Sequence, residues 1–186
     1  MAELCLFGHS FIRRVASSIG DRLPVELGGG GRIHHVSHSG GTSQNLRQDV
    51  EKIPVSVGVV FVQTGGNDIG PHYQQPARIA DDIINLVNLI RQQRPFAVII
   101  VGSLFVRLKP RGLTESEYND VKNSVNRLLR HRCSYLRQVL FWNSSRKMRY
   151  RALHFDRWGV HLNDAGNRLF ANSIRAAYKM AMTLFW

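Results

Sequence analysis

The sequence predicts a three-layer α/β/α sandwich around a central, mostly parallel five-stranded sheet. Three observations carry that expectation. Short, nearly continuous apolar runs recur along the chain, as they do in strands covered on both faces. Segments of helical periodicity separate them, and such alternation marks a doubly wound sheet. The length, 186 residues with 44% hydrophobic, suits one domain spanning 1–186, with no linker or internal repeat. A chain of this size buries about 70% of its unfolded surface and needs no metal or disulfide staple.

The elements follow in order. Leu4–Gly8 is a short apolar run that ends in Gly. Ser10–Ile19 places Phe11, Ile12, Val15 and Ile19 on one side of a helix. Arg32–Ser37 is a weaker strand, polar for a central position, and Gly28–Gly31 before it reads as a loop. Val57–Thr64 is the strongest buried strand. Pro76–Gln93 carries Ile79, Ile83, Leu86, Val87 and Ile90 at helical spacing. Ala97–Ser103 is a fourth strand and Gln138–Trp142 a fifth. Between them Thr114–His131 opens with Thr114-Glu115-Ser116-Glu117, a capping-box pattern. Asp164–Leu184 forms the last helix, with Leu169, Phe170, Ile174, Ala177 and Ala181 facing inward.

Charge is the unusual property. Lys and Arg total 25 against 13 acids, a formal net charge of +12. From Val121 to Phe155 there is no acid and there are nine Lys or Arg. Such a surface attracts polyanions by counterion release; it is equally the solubilising face of a basic protein. Arg146, Lys147, Arg149 and Arg151 are the candidate contacts for RNA or DNA. Two cysteines, Cys5 and Cys133, make no disulfide framework and read as reduced thiols. With no basic leader and no run of 18 apolar residues, an intracellular protein without a membrane span is expected.

Four clusters stand just after a strand or just before a helix, where open parallel sheets bind ligands. Phe7-Gly8-His9-Ser10 puts a hydroxyl at a helix start; Ser is also an ordinary N-cap. Ser39-Gly40-Gly41-Thr42-Ser43 lets backbone N–H groups approach an anion, or is simply a turn. Thr64-Gly65-Gly66-Asn67-Asp68 offers a side-chain amide, or an Asn capping its own turn. Trp158-Gly159-Val160-His161-Leu162-Asn163-Asp164 supplies an imidazole suited to general base work. Asn163 and Asp164 read as capping residues.

In that order the four blocks resemble the SGNH hydrolase superfamily, the GDSL-like esterases, over nearly the whole chain from Leu4 to about Lys179. The resemblance implies a flavodoxin-like SGNH fold and a serine esterase acting on small, acetyl-like esters through an acyl-serine. It makes Ser10 the nucleophile and His161 the base. The N–H groups of Ser10 and Gly40 and the amide of Asn67 become the oxyanion hole. It implies no cofactor and no metal. The start Gly-His-Ser-Phe-Ile-Arg-Arg is also similar to SGNH-like domains of animal genomes, some carried by retroelements.

Two positions depart from the pattern. His9 stands where the family has Asp, which changes the charge beside the nucleophile. Trp158 stands where the family places the Asp that orients the base, three residues before His161. Asp156, five residues before it, is the candidate acid if the loop folds back; otherwise a Ser–His dyad remains. A second reading follows from these losses: a weakened SGNH-like domain that serves as a basic nucleic-acid-binding module. A flavodoxin-like nucleotide binder shares the layer order, but no Gly-x-Gly-x-x-Gly or phosphate loop follows the first strand. Oligomeric state is open.

Overall fold

The structure is a computed structural model that describes residues 2–19, 32–70, 75–144 and 151–186. The predicted loop Gly28–Gly31 and the candidate contacts Arg146, Lys147 and Arg149 lie outside the described residues. Five strands form one sheet: β1 (Glu3–Gly8), β2 (Ile33–Ser37), β3 (Val57–Gln63), β4 (Val98–Gly102) and β5 (Val139–Trp142). Their order is β2-β1-β3-β4-β5 and every adjacent pair runs parallel. All five carboxyl ends therefore meet one edge of the sheet.

Among the described residues four α-helices cover it: α1 (Ser10–Ile19), α2 (Pro76–Gln93), α3 (Glu115–Cys133) and α4 (Asp164–Phe185). Alternation along each strand sends side chains to opposite faces. Cys5, Phe7, Val60, Val62, Ile99 and Val101 pack against α2, α3 and the 3₁₀ helix Asn45–Lys52. Leu4, Leu6, Val59, Phe61, Val98 and Ile100 pack against α1 and α4. These are the two cores of a three-layer sandwich. Both thiols are buried, and burial pushes Cys5 up to about 12 and Cys133 up to about 11.

The weak second strand has a topological cause. β2 is an edge strand and its residues are half-buried or exposed, so His34 and His35 are tolerated there. The capping box at Thr114 forms in full: its hydroxyl oxygen accepts from the Glu117 N–H, and the Glu117 carboxylate accepts from the Thr114 N–H. The cations Arg130 and Arg132 close that helix at its negative end. The 3₁₀ helix has only a weak sequence signal: its buried residues Leu46, Asp49 and Val50 share one face, but the middle one is a carboxylate that interrupts the apolar stripe.

Candidate active site

The site is built at the carboxyl edge, beginning where β1 ends. Gly8 has φ +156°, and a Cβ there would come within 2.1 Å of the Gln63 carbonyl oxygen of β3. Only glycine lets the two strands end this close together. The next N–H, of His9, donates to that same Gln63 oxygen at 3.2 Å. His9 turns inward and is 1% exposed; Ser10, on the next position, begins α1 and is 6% exposed. Its Oγ lies 2.9 Å from His161 Nε2.

The imidazole arrives on a small hairpin. Phe155 and Leu162 form an antiparallel bridge, and the Asp156 N–H donates to the His161 carbonyl at 2.8 Å. Gly159, at φ +65°, turns the chain between them. This pairing places Asp156 directly across from His161 although five positions separate them. Asp156 Oδ2 is 3.7 Å from His161 Nδ1, within ion-pair reach and longer than a hydrogen bond. Its other oxygen accepts from the Trp158 N–H at 3.2 Å, and Arg14 Nη1 lies 3.5 Å from Oδ2. Trp158 itself is 63% exposed, under the Arg157 guanidinium. Asn163 caps α4 by accepting from the Gly166 N–H, and its amide ties the hairpin to the helix through the Leu153 and Phe155 carbonyls.

Both imidazoles are neutral at ordinary pH. Burial, then the cations Arg14, Arg107 and Arg111, push His161 down to about 4, against the pull of Asp156. Burial pushes His9 down to about 3, helped by Arg107 and His161. A neutral His161 with Nε2 facing a hydroxyl can accept its proton.

The third wall comes from the loops after β2 and β3. Asn67 Nδ2 donates to the Gly41 carbonyl at 3.0 Å, joining the two loops. Asp68 staples them a second time, accepting from the Ser43 N–H at 3.0 Å; burial raises its carboxyl to about 6. The Gly41 N–H is held by the His38 carbonyl. The N–H groups of Ser10 and Gly40 have no hydrogen-bond partner among the described residues. A helix-first N–H such as that of Ser10 has no intrahelical acceptor and is open to an anion.

Thus the structure brings Ser10, His161 and Asp156 together and links Asn67 to the Gly40–Gly41 loop. Of the candidate nucleic-acid contacts, only Arg151 is described, and it is exposed. Sequence reasoning missed Arg107. This residue follows β4, is 6% exposed, and donates from Nη2 to Asn67 Oδ1 at 2.7 Å. Its signal was available: a lone cation in the apolar run Leu104-Phe105-Val106-Arg107-Leu108, just past a strand's carboxyl end. Among the described residues, no group of three or more His, Cys, Asp or Glu is placed to hold a metal.

A parallel sheet carrying a serine, an imidazole and a carboxylate at its carboxyl edge defines the class: an ester hydrolase of the three-layer α/β kind. The family model of the GDSL-like lipase/acylhydrolase family matches residues 7–169, and the chain belongs to that family. Compared with curated proteins, the sequence has no significant match. Solved structures share the fold at low identity. A family 3 carbohydrate esterase of Clostridium thermocellum superposes with TM-score 0.77 at 16% identity, covering 100% of this chain and 99% of that one. A GDSL-like lipase of Bacteroides thetaiotaomicron gives 0.77 at 14%, covering 97% and 89%. An acetyl esterase variant with an acetate ion gives 0.74 at 16%, covering 99% and 100%. No helix among the described residues is long and apolar enough to cross a membrane.

Proposed function

We propose that the chain hydrolyses small acyl esters of the acetyl type through an acyl-serine. The observation that carries this reading is the 2.9 Å contact between Ser10 Oγ and the neutral His161 Nε2. His161 takes the hydroxyl proton as Ser10 attacks the ester carbonyl. The N–H groups of Ser10 and Gly40 and the Asn67 amide receive the oxyanion. His161 then protonates the leaving alcohol. Water, activated by the same imidazole, releases the acid and restores Ser10. Asp156, across the hairpin, orients Nδ1 and balances the imidazolium. Fold-level likeness to an acetyl esterase and a carbohydrate esterase supports a small acyl group on a hydroxylated alcohol. Turnover of p-nitrophenyl acetate by wild type and by Ser10→Ala tests this reading. Loss to the buffer rate is expected, and equal rates would remove Ser10 from the mechanism.

A second reading concerns the surface and is compatible with the first. The +12 charge favours contact with RNA or DNA, and Arg127, Arg130, Arg137 and Arg151 are exposed within the acid-free stretch. Nucleic-acid affinity should fall steeply with salt. Replacing Arg146, Lys147, Arg149 and Arg151 together should weaken it, and unchanged affinity would count against this patch.

A further inference from the structure

We propose that Arg107 is a positioning residue that orients the Asn67 amide and backs the oxyanion site with a permanent positive charge. The inference rests on the hydrolase reading and deepens it.

Arg107 is anomalous for a buried cation. It is 6% exposed, yet among the described residues no carboxylate lies within ion-pair distance of it. Its Nε is buried without a hydrogen-bond partner. Burying an unpaired charge is costly, and proteins keep such a group where something else uses it. The guanidinium is held against the Tyr118 ring, 5.3 Å from the centroid, a cation–π contact that offsets part of that cost. Room for it comes from Gly66, where a Cβ would stand 3.1 Å from Arg107 Nη2 and 3.2 Å from the Tyr118 hydroxyl. The second glycine of the Gly65-Gly66-Asn67 string thus serves the arginine.

The contact with Asn67 has a direction. An amide has one acceptor and one two-proton donor. Arg107 can only donate, so Oδ1 must face it, and Nδ2 must then face the Gly41 carbonyl. Turned over, the amide would set donor against donor and oxygen against oxygen. One of the two Nδ2 protons is taken by Gly41, and the other has no partner among the described residues. Arg107 therefore fixes which end of Asn67 is presented to a ligand. Polarisation through Oδ1 also makes the free N–H a stronger donor. The charge itself finds a counter-charge only when the substrate carbonyl becomes an oxyanion, the condition for stabilising a transition state over a ground state.

The test compares wild type, Arg107→Met, Arg107→Lys and Ser10→Ala on p-nitrophenyl acetate across pH. Arg107→Met should lower kcat about 10–100-fold with KM little changed. Its acid limb should also move to higher pH. The groups acting on His161 are His9 and Arg14 from the β1–α1 side, Asp156 on its own hairpin, and Arg107 and Arg111 after β4. Removing one cation eases protonation of the ring, whereas simple loosening of the loop predicts no such displacement. Arg107→Lys should keep the limb in place and still lose kcat, because an ammonium lacks the fork that reaches Asn67 while lying on Tyr118. Should Arg107→Met fail to fold by circular dichroism, Arg107→Lys carries the test alone, with a fivefold or larger loss of kcat expected. Wild-type kcat in the folded variants beside an inactive Ser10→Ala would overturn the role of Arg107. Full activity of Ser10→Ala would instead overturn the hydrolase reading beneath it.

Discussion

The two halves of the candidate catalytic pair are held by different physics. Ser10 sits on the sheet: Gly8 is pinned against β3, the His9 N–H bonds to Gln63, and α1 starts at once. Its position follows from long-range strand pairing. His161 sits on a hairpin closed by one isolated bridge and by bonds within residues 153–166, and fastened to the loop after β4 where the Leu108 N–H donates to the Gly159 carbonyl at 2.8 Å. Its position follows from local turns, with the flanking Phe155 and Leu162 seated in the core. The nucleophile side should therefore respond to mutation as part of the fold, and the base side as a replaceable attachment. Damage to the first costs stability, and damage to the second costs rate.

The largest effect is expected from His161→Ala, a loss of about 10⁴-fold or more in kcat/KM with the thermal transition nearly unchanged. A matching loss of stability would mean that the imidazole itself, beyond its buried neighbours Phe155 and Leu162, supports the core. Gly8→Ala should show the reverse. Its new methyl overlaps a backbone carbonyl that cannot move without the sheet, so about 3 kcal/mol of stability should go, roughly 10 °C in Tm. A wild-type Tm would contradict the sheet-anchored account of Ser10. Asp156→Asn comes next, at about 10²-fold in kcat. That is short of the roughly 10⁴-fold loss where the carboxylate is tightly bonded to the ring, because Nδ1 lies 3.7 Å away. An unchanged kcat would reduce the site to a dyad.

The smallest effect separates the two histidines by pH. His9 and His161 are pushed below their ordinary value in the folded chain, to about 3 and about 4. Each contributes stability that is present above about pH 6.5 and is lost as pH falls toward those values. His9→Asn should flatten the fall of Tm between about pH 6.5 and 4 relative to wild type. Activity should meanwhile retain an acid limb near pH 4, set by His161. A limb near pH 6.5 would mean that neither burial nor the arginines around the ring act on it.

Much of this was legible in the sequence, for reasons that differ by residue. The apolar runs at Val57–Gln63 and Val98–Gly102 and the stripe on Pro76–Gln93 announce burial directly, so the layers follow. Ser10, Asn67 and His161 stand beside strand ends and helix starts, where each could equally be a cap or a turn residue; only the resemblance of the four blocks together singles them out. That Asp156 faces His161 depends on a two-residue bridge and a left-handed glycine, and neither leaves a periodic trace. Arg107 stands out as a lone cation in an apolar run, but its role was hidden for a related reason. Its meaning comes from contacts with Asn67 and Tyr118, distant in sequence, and a single arginine among apolar residues does not say whether it faces water.

The central claim is that His161 activates the hydroxyl of Ser10. The most direct measurement treats the folded chain with an alkyl fluorophosphonate and maps the adduct by peptide mass spectrometry. The account predicts one adduct, on Ser10, in wild type and in Asp156→Asn at a lower rate, and none in folded His161→Ala. An unlabelled Ser10 in wild type, or equal labelling with and without the imidazole, would contradict it.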